Sequence, residues 1–111
     1  MSSWAIAVFP PILVIVGILG FALPQKKSRT STAPLYNIFH IVFGVVGIVI
    51  AVAGSSAAIR TYLIGFGLLD LYQLAASRFD WPPRRQFRWT PTDDVLHLVI
   101  GIALVAVGVA G

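Results

Sequence analysis

A four-residue pattern occurs twice in this chain, each time at the start of a long apolar run. Pro34, Asn37, His40 and Gly44 recur as Pro91, Asp94, His97 and Gly101, every pair 57 positions apart. Each run holds about 17–20 residues, enough at ~1.5 Å rise per residue to cross ~30 Å of hydrocarbon. An internal copy of this kind predicts two related helical hairpins in a membrane.

Composition agrees with that reading. Of 111 residues, 58% are hydrophobic and 11% charged, whereas a soluble domain this small needs far more polar surface. Cysteine is absent, which excludes disulfides, thiolate metal sites and iron–sulfur clusters. The net charge of +4 comes mainly from basic residues in loops beside apolar runs, so membrane topology explains it and nucleic-acid binding is not expected.

The expected fold is all-α and integral to the membrane, a single domain over residues 1–111 with spans at about 4–23, 35–53, 59–76 and 94–110. The first span contains Pro10-Pro11, which removes backbone donors and predicts a kink there or a helix that starts at Pro11. Lys26, Lys27 and Arg29 lie between spans one and two, and Arg78, Arg84, Arg85 and Arg88 between spans three and four. Two crossings separate these loops, so they share one side, and the positive-inside rule makes that side cytoplasmic. Both termini then face the periplasm, across a bacterial inner or intracytoplasmic membrane. Met1–Ser3 carries no positive charge, so span one reads as a retained helix rather than a cleaved signal.

Each copy of the pattern opens with proline at the first helical position, where the missing N–H costs nothing. Thr90-Pro91-Thr92-Asp93 has the form of a capping box. Gly44, Gly47, Gly101 and Gly108 form small-residue seams that let a neighbouring helix approach closely. Asn37, His40, Asp70, Asp94 and His97 form a candidate polar layer, since ionisable groups inside a span face the bundle interior and a partner. Asp80, Asp93 and Asp94 are expected at the aqueous surface.

Gly-Ile-Leu-Gly-Phe at 17–21, Asn37-x-x-His40-x-x-x-Gly44-x-x-Gly47, Arg60, Tyr72 and Asp94-x-x-His97-x-x-x-Gly101 together resemble a family of small bacterial four-helix membrane proteins known only as a domain of unknown function. The resemblance covers nearly the whole chain. It implies a four-helix membrane fold and brings no activity with it. The Arg78–Trp89 loop is longer and more basic than the family pattern needs.

Three readings of the polar layer compete. In the first, the histidines hydrogen-bond to Asp70, Asn37 or backbone and hold the hairpins in register. In the second, His40 and His97 are axial ligands to a b-type haem, or each binds a chlorophyll-type magnesium. In the third, Asp70 and the histidines form part of a proton path, although Arg60 and Thr61 stand almost alone in the outer half. Arg60 itself reads as an interfacial anchor whose head group reaches outward. Trp81, Arg84, Arg85, Arg88 and Trp89 suit docking to anionic lipid or to a protein partner. No nucleophile–base pair, phosphate loop or metal-ligand cluster is present, so no catalysis is expected. The leading expectation is a small subunit that packs on and stabilises a larger photosynthetic or respiratory membrane complex. The alternatives are a haem or chlorophyll carrier and a stand-alone lipid-organising or stress-related protein, with the glycine seams also allowing a homo-oligomer.

Overall fold

The computed structural model describes residues 2–111, with side chains from Trp4 onward; Met1 lies outside the described residues. The chain is 83% helical, and no strand occurs among the described residues. In order, the elements are α1 (Ser2–Ala22), a 3-10 turn (Gln25–Lys27), α2 (Pro34–Ala53), α3 (Ser56–Phe79), the short α4 (Arg84–Phe87) and α5 (Pro91–Ala110). Three stretches, Trp4–Ala22, Pro34–Ala53 and Pro91–Ala110, are long and apolar enough to cross a membrane. Helix α3 is as long, but Arg60, Asp70 and Gln73 interrupt its apolar run.

The prolines of α1 do not break it. The helix is continuous from Ser2 to Ala22 with Pro10 and Pro11 inside. Its neighbour accounts for this, since Pro10 is fully buried and seats its ring against Gly47. A Cβ at Gly47 would lie 2.5 Å from the Pro10 Cγ. Close packing of the ring against α2 offsets the hydrogen bond that the proline removes.

Helix α1 packs antiparallel along α2, and α3 along α5, while contacts between the two hairpins are sparser. The 57-residue repeat governs both pairs. Helices α2 and α5 begin and end at positions related by that shift, and so do the ends of α1 and α3 at Ala22 and Phe79. Gly44 lies over the Pro10 carbonyl and Val14, and Gly101 lies over the Gly67 carbonyl and Leu71. Pro10 and Gly67 are again 57 apart, as are Val14 and Leu71. The duplication therefore includes α1 and α3, whose sequences match only in hydropathy.

Residues related by the shift also meet across the hairpin interface. Phe9 and Phe66 pack edge to face at 5.4 Å, and the Tyr36 hydroxyl donates to Asp93 Oδ1 at 2.6 Å. A residue touches its own copy only beside a rotation axis. Because the hairpins run in the same direction, the pseudo-two-fold axis runs along the bundle.

Arg60 closes the far end of the second hairpin. Its Nε donates to the Gly108 carbonyl at 2.9 Å and its Nη2 to the Val109 carbonyl at 3.3 Å. The guanidinium thus caps the last turn of α5, where carbonyls lack helical partners. Arg60→Met keeps the stem and removes both bonds. Amide exchange in that turn should then quicken about five-fold, equivalent to ~1 kcal/mol. Unchanged exchange would show that the cap contributes nothing in solution.

Candidate functional site

The axis carries a chamber. A cavity of about 180 Å³ lies between the hairpins, and Thr30, Tyr36, His40, Asp70, Asp93 and His97 contribute to its otherwise apolar wall. Proline at the first position of α2 and α5 sets these residues at matching levels, and the capping box at Thr90 fixes the start of α5. Thr90 Oγ1 accepts from the Asp93 N–H at 3.2 Å, and Asp93 Oδ2 accepts from the Thr90 N–H at 2.9 Å.

Asp93 also reaches outside its own hairpin. Oδ2 accepts from the Ser31 N–H at 2.8 Å, and Oδ1 accepts from Tyr36. The Ser31 hydroxyl bonds to the Phe87 carbonyl, and the Thr90 hydroxyl donates to the Arg29 carbonyl at 2.6 Å. These contacts tie the loop before α2 to the loop before α5. Asp93 and Asp94, expected at the surface, are only 1% and 8% exposed. Asp80 is exposed and pairs with Arg84 at 3.4 Å. Burial of Asp93 follows from three converging N–H and O–H donors, the condition under which a carboxyl group can leave water.

The polar layer divides in two. His40, Asp70 and His97 share the cavity, whereas Asn37 and Asp94 lie off the axis. Asn37 is fully buried against Gly20 of its own hairpin, with its amide donating to the Thr32 carbonyl at 3.1 Å. Asp94 pairs with Arg78 at 3.6 Å, and the arginine is 68% exposed. Tyr36 and Ser31 complete the site and were not evident as site residues from the pattern alone. The spacing held a clue, since Tyr36 and Asp93 are 57 apart and flank the repeated positions.

The histidines differ in their partners. His40 Nδ1 lies 2.8 Å from the Tyr36 carbonyl, and the ring stacks on Tyr36 at 4.1 Å. A carbonyl only accepts, so Nδ1 carries a proton and Nε2 is the nitrogen left for other contacts. His97 is 6% exposed, and its Nδ1 has no hydrogen-bond partner. Trp89 stands edge-on to it at 6.3 Å. The Trp89 indole donates to Gln73 Oε1 at 3.1 Å, and Gln73 Nε2 donates to Asp70 Oδ1 at 3.3 Å. Trp89 is thus turned inward, while Trp81, Arg84, Arg85 and Arg88 are exposed on the loop.

This geometry does not fit a tetrapyrrole. At about 180 Å³ the cavity has room for a single small ring but not for a macrocycle, which would force the hairpins apart. Both rings are buried, which keeps a pigment on the lipid side from reaching either. Among the described residues, no group of three or more His, Cys, Asp or Glu is placed to hold a metal ion.

Fold and site together define a duplicated helical bundle with an axial chamber. No known protein family, curated protein or solved structure matches the chain, so its role is argued from its own geometry.

Proposed function

We propose that the protein is a non-catalytic integral membrane subunit, with all four long helices crossing the bilayer and the basic loops in the cytoplasm, and that it packs on and stabilises a larger membrane complex. The packing of α3 supports the fourth crossing. It lies along α5 from Arg60 at the Gly108 carbonyl to Arg78 at Asp94, nearly the whole length of that candidate span. The bundle is 39 Å long, which matches a hydrocarbon core with part of its interfaces.

One observation carries the accessory reading. The buried polar groups are turned inward on the axis and the hairpin seams, while the outer faces expose large apolar side chains such as Ile15, Val49, Leu68 and Val99. Trp81, Arg84, Arg85 and Arg88 are among the residues exposed at the basic end. Tryptophan and arginine dominate the energetics of many protein interfaces. A photosynthetic or respiratory assembly is the host class such a subunit suits.

The test is the particle mass of tagged protein extracted gently from its native membranes. We expect hundreds of kilodaltons, with constant companions, and a shift to a small particle when Trp81, Arg84, Arg85 and Arg88 are replaced together by alanine. A wild-type particle of only a few chains would overturn the proposal.

A further inference from the structure

The axial cavity is not closed on all sides. Its walls at Phe9, Ile12 and Ile100 are also walls of a second space, an apolar groove of about 370 Å³ between α1 and α5. The groove follows α1 from Ile12 back to Trp4, roughly 12 Å at 1.5 Å per residue, with α5 from Val99 to Val107 on its other side.

The pseudo-symmetry explains why it is open. Its counterpart lies between α3 and α2, where Tyr62 packs against Gly47 and donates its hydroxyl to the Phe43 carbonyl at 2.8 Å. Shifted by 57 positions, Tyr62 becomes Ala5 and Gly47 becomes Leu104. One groove is filled by the chain's own phenol, and the other is left unfilled, leading to the chamber.

We propose that chamber and groove form one binding site for an isoprenoid quinone in its reduced, quinol form, with the dihydroxylated ring between His40 and His97 and the tail along α1 and α5. The chamber wall is apolar apart from a few converging polar groups, the usual form of a small-molecule site. His40 Nε2 is an acceptor there, because Nδ1 gives its proton to the Tyr36 carbonyl, and the His97 ring lines the same wall.

The charge of the wall selects the head group. Asp70 and Asp93 line the chamber and no lysine or arginine does, so a phosphate or a fatty-acid carboxylate would meet only acidic neighbours. The ligand is therefore an uncharged ring. A hydroquinone ring, with hydroxyls at opposite ends, donates one to His40 Nε2 and presents the other to His97, in keeping with their relation across the axis, and Phe9 and Phe66 supply flat apolar walls. A sterol, with one hydroxyl, would leave the second histidine unmet.

The test is anaerobic titration of the full chain in detergent micelles with a decyl-tailed benzoquinol, read by quenching of tryptophan fluorescence. Trp4 borders the groove and Trp89 faces His97, so both report. We expect saturable quenching at one quinol per chain, at least ten-fold weaker binding in His97→Phe, and a similar loss in Ala5→Tyr and Ala103→Phe, which fill the groove from opposite helices. Removing the decyl tail should weaken wild-type binding at least ten-fold and should matter little in the groove variants. Linear, unsaturable quenching that is equal in all variants would overturn the proposal. So would groove-filling variants that fold and bind like wild type, or an organic extract of protein from native membranes that holds phospholipid and no quinone. None of these readouts depends on the particle mass, so this site and the accessory role stand or fall separately.

Discussion

Gly44→Val should abolish accumulation of folded protein. A Cβ at this position would lie 2.5 Å from Val14 Cγ2, 2.8 Å from the Pro10 carbonyl oxygen and 2.9 Å from the Val14 nitrogen. The first of these can move aside; the other two are backbone of α1. Relief requires the helices to separate, which uncovers the seating of Pro10 against Gly47 as well. Overpacking in cores costs about 1–3 kcal/mol where side chains can yield, so ~3 kcal/mol or more is expected here. Trimming the partner, as in Val14→Ala, should not rescue it, because the carbonyl stays in place. Gly65→Ala is the control, since a Cβ there meets nothing within 4 Å. It should be neutral or slightly stabilising through helix propensity. Reversible unfolding in mixed micelles, followed by far-ultraviolet circular dichroism, measures both. A Gly44→Val variant as stable as wild type would mean that the close approach of α1 and α2 is wrong.

Asp93→Ala should be nearly as damaging, and Asp94→Ala should not. Asp93 accepts from the Ser31 and Thr90 amides and the Tyr36 hydroxyl, all within 2.6–2.9 Å. Removing the carboxyl group strands donors from both hairpins in a buried setting. With each stranded donor costing about 1–3 kcal/mol, a total loss of ~3 kcal/mol or more is reasonable, and the hairpins should part more readily than either unfolds. Asp94 offers one contact, a 3.6 Å pair with a largely exposed arginine. Solvent screens such a pair, so the loss should stay below ~1 kcal/mol. Tyr36→Phe removes a single donor and should fall between them. Equal effects at Asp93 and Asp94 would contradict the latch at the axis.

These two predictions mark how far the residues alone can be read. Gly44 and Gly101 are recognisable in the sequence because close helix approach leaves a periodic trace of small residues. The helix starts are recognisable too: proline at 34 and 91 and the Thr90–Asp93 box are local devices, each set by the hydrogen bonds of one turn. Asp93 was misplaced for the same reason. Its capping role is local and visible, but its bonds to Ser31 and Tyr36 cross 62 and 57 positions of chain.

Along a helix, successive side chains point ~100° apart. Spacing therefore shows that Asn37 and His40 share a broad face, but not which of them meets the other hairpin. That depends on how each hairpin is rotated about the axis, and the rotation places His40 and His97 in the chamber while turning Asn37 to Gly20 and Asp94 to Arg78. Similarly, nothing in Trp81 or Trp89 alone distinguishes an exposed ring from one bonded to Gln73. The groove is the clearest case. Ala5 and Tyr62 are unremarkable in isolation, and only superposing one hairpin on the other shows that a tyrosine fills one side and an alanine leaves its counterpart open. Hydropathy, caps and glycine spacing, all local in the chain, determined the helices and their pairing into hairpins. The axis, the buried Asp93 latch and the open groove were decided by packing one hairpin against its copy, because those contacts join residues that no local pattern relates.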